Sequence, residues 1–136
     1  MRRHFLLGLL ALPLLAGCAT PGGEAPQVPV HVVFFTEDSA ALDEAARAVV
    51  ADAARLALED ASLPVRVMGF ADPDGGRAYN RAISAARAEQ VAAALRERGV
   101  PAGRISVSPR GPVPFEMMPL ESRRVEIVLG GQAAAR

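Results

Sequence analysis

Asp72 and Arg87 are the residues whose types and spacing could do chemistry together. The acid follows the strand-like run Val65 to Gly69. The arginine lies inside a helix-like run, beyond the turn-forming stretch Asp72-Pro73-Asp74-Gly75-Gly76. One loop can therefore set a carboxylate and a guanidinium on opposite walls of a small pocket. A carboxylate only accepts hydrogen bonds, and a guanidinium is a planar fork of donors that suits carboxylate oxygens. Such a pocket fits a ligand that carries an ammonium and a carboxylate on one carbon. Each residue also has a plainer reading: Asp72 as a loop cap before Pro73, and Arg87 as a surface arginine paired with Asp72 or Glu89.

The flanking elements must position this pair. Val30 to Phe35 is apolar and β-branched, as a buried strand requires. Asp43 can cap a helix running to about Asp60, with Ala46, Val49, Val50, Ala53, Leu56 and Ala57 on one face. Pro64 precedes the strand Val65 to Gly69. A second helix is expected from about Arg77 to Arg98, with Ile83, Val91, Ala94 and Leu95 inward and Gly99 as its stop. Ile105 and Val107 mark a third strand after Arg104. The stretch from Pro109 to Pro119 holds four prolines and cannot be a central strand. Val125, Ile127 and Leu129 alternate with Arg124, Glu126 and Val128, which predicts a last, half-exposed strand. Met117 and Met118 are expected to pack within their loop. The order β-α-β-α-β-β predicts an α/β fold, an α+β type sandwich with two helices packed on one face of a mixed β-sheet. The domain should span residues 30–130, with a frayed tail at 131–136.

The start of the chain reads as a targeting segment. Arg2 and Arg3 precede a short apolar run, Phe5 to Leu15, too short for a spanning helix. Leu15-Ala16-Gly17-Cys18 resembles a bacterial lipobox. That resemblance implies removal of residues 1–17, lipid on the Cys18 thiol, and a membrane partner reached through that lipid. Ala19, by resemblance to bacterial sorting rules, favours the outer membrane. Residues 18–29 form a short linker rich in Pro, Gly and Ala, reaching roughly 40 Å when extended. Cys18 is the sole cysteine, so no intramolecular disulfide can form.

Composition removes several function classes. The 15 basic residues are all arginine and balance 15 acids, which offers no footprint for nucleic acid. Tryptophan is absent and aromatics make up 4% of the chain, so binding by stacking is poorly supported. His31 has no second histidine in the domain with which to hold a metal. Asp72 with Asp74 is the only carboxylate pair near the site. It lies on one loop with no motif around it, a weak basis for an enzyme.

Tyr79, Asn80, Ile83, Ser84, Arg87, Ala88 and Val91 fall at the spacing Tyr-Asn-x-x-Leu-Ser-x-x-Arg-Ala-x-x-Val that follows a strand-ending acid. This pattern resembles the OmpA-like peptidoglycan-binding domain, of the peptidoglycan-associated lipoprotein type. The likeness extends over about Val30 to Leu129. It includes Phe35-x-x-x-Ser39-x-x-Leu42, the Gly99-Val100 to Arg104-Ile105 step, Gly111-x-x-Pro114 and Arg123-Arg124-Val125-Glu126-Ile127. The resemblance implies a non-catalytic domain, without cofactor or metal, that holds the diaminopimelate side chain of the peptidoglycan stem peptide. Asp72 would take its ammonium and Arg87 its carboxylate. Ile83 could wall the aliphatic stem, and backbone N–H groups near Phe35 and Thr36 could add contacts. Asn80 and Ser84 would brace the loop and helix, and Arg124 would be a solvated strand residue or a secondary contact. Three positions depart from the pattern: Ala71 replaces threonine, Phe70 stands where a histidine or polar aromatic is usual, and Ser122 replaces asparagine. Two functions stay open. One is a lipid-anchored tether between outer membrane and wall. The other is an interaction subunit of an envelope assembly, in contact with other envelope proteins, with a weak or lost ligand site.

Overall fold

A computed structural model of the protein describes residues 28–131. The expected leader, Cys18, nearly all of the expected linker and the residues after Gly131 lie outside that range. The elements run β1 (Val30–Phe34), α1 (Glu44–Glu59), β2 (Val65–Ala71), α2 (Arg77–Glu97), β3 (Ile105–Pro112) and β4 (Arg124–Leu129). Two short 3-10 turns precede β3 and β4.

The sheet order is β1-β4-β2-β3. β4 is antiparallel to both its neighbours, while β2 and β3 are parallel. The sheet is therefore mixed, and α2 is the crossover that parallel strands require. Strand alternation sends Val33, Val65, Val67, Val125 and Ile127 into one core, where they meet Val50, Val91 and Leu95 of the two helices. Asp43 caps α1 as its pattern predicts: its Oδ1 accepts from the Ala46 N–H at 2.7 Å. At the other end of α1, Arg104 donates to the carbonyls of Ala57 and Leu63, both at 2.7 Å, and of Asp60 at 2.8 Å. It thereby satisfies oxygens that a helix C-terminus leaves without partners.

Three details differ from the sequence expectation. β2 continues two residues past Gly69 to Ala71, which delivers Asp72 at its end. β3 runs through Pro109 to Pro112, and β3 is an edge strand, where a proline removes no needed ladder bond. β4 is central rather than half-exposed. β1 and β2 flank it on both sides, and Val128 is buried along with Ile127 and Leu129.

Gly69 sets how closely α2 lies on β2. A Cβ there would stand 2.1 Å from the Ser84 carbonyl oxygen and 3.0 Å from the Ala88 Cβ. Only a residue with no side chain lets the helix backbone rest on the strand at this point. The contact fixes the height of Ser84 and Arg87 above the sheet.

Candidate functional site

Four segments meet where β1 and β2 end. They are the turn after β1 (Thr36 to Ser39), the loop after β2 (Asp72 to Gly76), the start of α2, and the lead into β4 (Ser122 and Arg123). Glu37, Asp38, Asp72, Asp74, Tyr79, Asn80, Pro119 and Arg123 line a cleft of about 280 Å³ between them.

Asp72 is the best-held acid in this cleft. Its Oδ1 accepts from the Ser122 hydroxyl and its Oδ2 from Arg123 Nε at 2.7 Å. Ser122 is fully buried and also lies 2.7 Å from the Pro119 carbonyl. A hydroxyl has one proton, and the charged acceptor holds it more strongly. Burial pushes the Asp72 carboxyl up. The hydrogen bonds from Ser122 and Arg123, and the charges of Arg123 and Arg87, outweigh burial and leave it below its ordinary value. Arg123 is raised in turn, chiefly by its bond to Asp72. Its far nitrogen reaches Glu37 Oε2 at 3.7 Å.

Arg87 does not form the opposite wall of the cleft. It is 2% exposed, and its guanidinium is taken up by backbone carbonyls. Nε donates to Ser39 O at 2.9 Å, Nη2 to Thr36 O at 3.1 Å, and Nη1 to Phe70 O at 3.5 Å. The Phe35 ring lies 5.4 Å from its guanidinium carbon. Burial lowers the Arg87 pKa, and the charge of Asp72 pulls it the other way. Arg87 therefore ties the ends of β1 and β2 together from behind. Its plain reading as a surface arginine fails on burial alone.

The other expected residues divide. Phe35 is buried, and its N–H donates to Arg123 O at 2.9 Å, so that donor is occupied. Thr36 is exposed and offers its carbonyl to Arg87. Ile83 is half-buried and does not line the cleft. Asn80 braces the loop through Nδ2 to Asp74 O at 2.7 Å, and Ser84 bonds back to Arg81 O at 2.9 Å. Arg124 lies away from the cleft: it stacks 4.3 Å from the Phe70 ring, pairs with Glu126 at 2.7 Å and donates to Glu121 O at 2.6 Å. Met117 and Met118 do not pack in their loop; they are 85% and 58% exposed.

Sequence reasoning gave no role to Arg123, Ser122 or the Tyr79–Asp38 bond. The signal for Arg123 was present. Residues 123, 125 and 127 share one face of a period-two strand, so Arg123 belongs with the core face and Arg124 with the other. Ser122, where the family pattern has asparagine, supplies a hydroxyl to Asp72. Tyr79 donates its phenol proton to Asp38 Oδ1 at 2.6 Å. Asp38 has φ of 54°, a left-handed conformation open to aspartate at the tip of this turn.

The cleft thus presents four carboxylates and one guanidinium, a surface attractive to a cationic group. Among the described residues, no three His, Cys, Asp or Glu side chains are grouped to hold a metal ion.

Residues 34–115, more than half of the chain, match the OmpA family. The chain belongs to that family. Two curated relatives are alike at the sequence level. An outer membrane protein of Gluconacetobacter diazotrophicus is 33% identical over 73% of this chain. A peptidoglycan-associated lipoprotein of Rhizobium meliloti is 35% identical over 69% of it. The chain spans 29% of the first relative's length and 54% of the second's. Among solved structures, the peptidoglycan-associated lipoprotein of Burkholderia pseudomallei superposes with a TM-score of 0.67 at 24% identity. That match covers 73% of this chain and 89% of the other. It shows that the OmpA-like fold is the same.

Proposed function

We propose that this OmpA family chain is a non-catalytic module that binds the diaminopimelate-containing stem peptide of peptidoglycan. With lipid on Cys18, it would tether the outer membrane to the wall from the periplasmic side. One observation carries the reading: the Asp72 carboxylate, kept ionised by Ser122 and Arg123, stands in an acidic cleft of about 280 Å³. An ammonium placed there meets a fixed acceptor and further negative charge from Glu37, Asp38 and Asp74. The neighbouring carboxylate of a zwitterionic head group is directed to the positive side, Arg123 at the wall and Arg87 buried behind it. The peptidoglycan-associated lipoprotein of Rhizobium meliloti supports the reading by its name.

A second reading has its own observation. Asp72 is already satisfied by Arg123, and Arg87 by three carbonyls, so the two anchors are occupied within the chain. That arrangement suits an interaction subunit that keeps the fold and has given up the ligand. Co-sedimentation with purified sacculi separates the two. The tether should bind walls with diaminopimelate and bind less well to walls with lysine at that position. Lysine retains the ammonium but lacks the carboxylate. Binding to neither favours the interaction subunit, and equal binding to both would mean that this pocket is not what recognises the wall.

A further inference from the structure

A second cleft, of about 390 Å³, lies outside the site described above. It is lined by Arg77, Arg81, Arg110, Pro109, Gly111 and Pro112, with no acid among them. Arg55, Arg123 and Arg124 each face a carboxylate. Among the described residues, the Arg77 and Arg81 side chains make no hydrogen bond or ion pair. Arg110 makes only a long contact, 3.9 Å, to the Met68 sulfur. Arg77 and Arg81 stand four apart on α2, where like charges repel and destabilise the helix. Arg77 is also in the first turn of that helix, a position that favours negative charge. Gly76 provides no side-chain cap there, and that turn holds no acid.

The backbone contributes to this gathering of charge. In the β2–β3 ladder Gly69 faces Pro109 and Phe70 faces Gly111, so Arg110 is the extra residue of a bulge. A bulge redirects the side chain it carries. Gly111, with φ of 75°, permits the turn. The result is three guanidiniums beside one cavity, in a chain whose total charge is zero. A local conflict with no partner inside the fold points to a partner outside it.

We propose that this cleft is a second binding site and that it takes a phosphate-bearing anion. A carboxylate has two oxygens and is well occupied by one guanidinium fork. A phosphate has more acceptor oxygens and more charge, which matches several forks at once. The phosphate can belong to a free anion or to a lipid headgroup, and both sources present the same chemistry to the arginines.

The test uses the full chain and the variant carrying Arg77→Gln, Arg81→Gln and Arg110→Gln. Inorganic pyrophosphate is titrated at low salt while the backbone amides of residues 77–81, 110 and 111 are followed by NMR. In parallel, flotation of the same two proteins carrying Cys18→Ser, which removes the site of lipid attachment, is measured with phosphatidylcholine vesicles, with and without phosphatidylglycerol. Amide shifts that saturate in the wild type and weaken roughly tenfold or more in the triple variant would support a site that takes free phosphate groups. Flotation that needs phosphatidylglycerol and is lost in the triple variant, without pyrophosphate shifts, would assign the site to a lipid headgroup. Binding in either arm should weaken as salt is raised. Arg110→Gln alone, at an exposed edge position, controls for folding and should show a smaller loss of the same kind. Asp72→Ala should leave this binding intact, which keeps the outcome separate from that of the stem-peptide site. No shift with pyrophosphate and no arginine-dependent flotation would overturn the proposal.

Discussion

Arg123 grips Asp72 through a 2.7 Å bond from Nε to Oδ2 across 51 positions of sequence. It joins the lead into β4 to the end of β2, and it stands in the acidic cleft where Arg87 was expected. This pairing decides which substitutions should affect binding and which should affect folding.

Asp72→Ala should abolish most sacculus binding with little loss of fold. Removing one partner of a hydrogen-bonded charge pair costs about 2–5 kcal/mol. That is a loss of roughly 30-fold to several thousand-fold in affinity. Arg123→Ala should also weaken binding, because it removes both the brace of Asp72 and the guanidinium that lines the cleft. Arg124→Ala, stacked on Phe70 and away from the cleft, should bind as the wild type does. Co-sedimentation with circular dichroism as the folding control measures all three. Wild-type binding by a folded Asp72→Ala protein would remove the central anchor of the proposal.

Arg87→Ala should act first on stability. It strips donors from the carbonyls of Ser39, Thr36 and Phe70 at a buried position. Leaving a buried acceptor unsatisfied costs about 1–3 kcal/mol, and three share this one donor group. The urea midpoint should fall well below that of the wild type. An unchanged midpoint would mean that the guanidinium is not the staple between the ends of β1 and β2.

Gly69→Ala should destabilise the fold although it adds a single methyl. The new Cβ would lie 2.1 Å from a backbone oxygen of α2, which cannot rotate away as a side chain would. Overpacking of this kind costs about 1–3 kcal/mol. Binding should weaken as well, because α2 carries both Asn80 and Arg87. Thermal unfolding, with sacculus binding measured on the folded fraction, tests both effects.

The pH dependence follows from Asp72, whose carboxyl sits below its ordinary value of 3.8 in the folded protein. A depressed carboxylate contributes stability that is complete above the ordinary value. That contribution is lost as pH falls through the folded value. The stability difference between wild type and Asp72→Asn should therefore be flat above about pH 5 and shrink as the pH falls below 3.8. Binding to an ammonium should fade over the same acid range. A difference that grows on acidification would show that the carboxylate is not held ionised.

Much of the fold was legible from local pattern. The alternation Val125, Ile127, Leu129 marks β4, the helical spacing of Ala46, Val50 and Ala53 marks α1, and Asp43 marks its cap. These signals arise from periodicity and short-range hydrogen bonding, which neighbouring residues set among themselves. The spacing from Tyr79 to Val91 likewise carries the resemblance to the family on local sequence alone.

What only the tertiary structure decided is which charged group meets which. Only one loop and the first half of α2 separate Asp72 from Arg87 along the chain, yet the sheet order β1-β4-β2-β3 puts β4 directly beside β2. That adjacency brings Ser122 and Arg123 to Asp72 from fifty positions away, and Arg87 is drawn under the ends of β1 and β2 instead. Strand pairing between distant segments is a property of the closed sheet and leaves no trace in local spacing. The same holds for the bulge at Arg110, which sets that residue beside Arg77 and Arg81. Residue types and elements can be read along the chain, whereas the partners of its charges follow from how the strands are ordered in space.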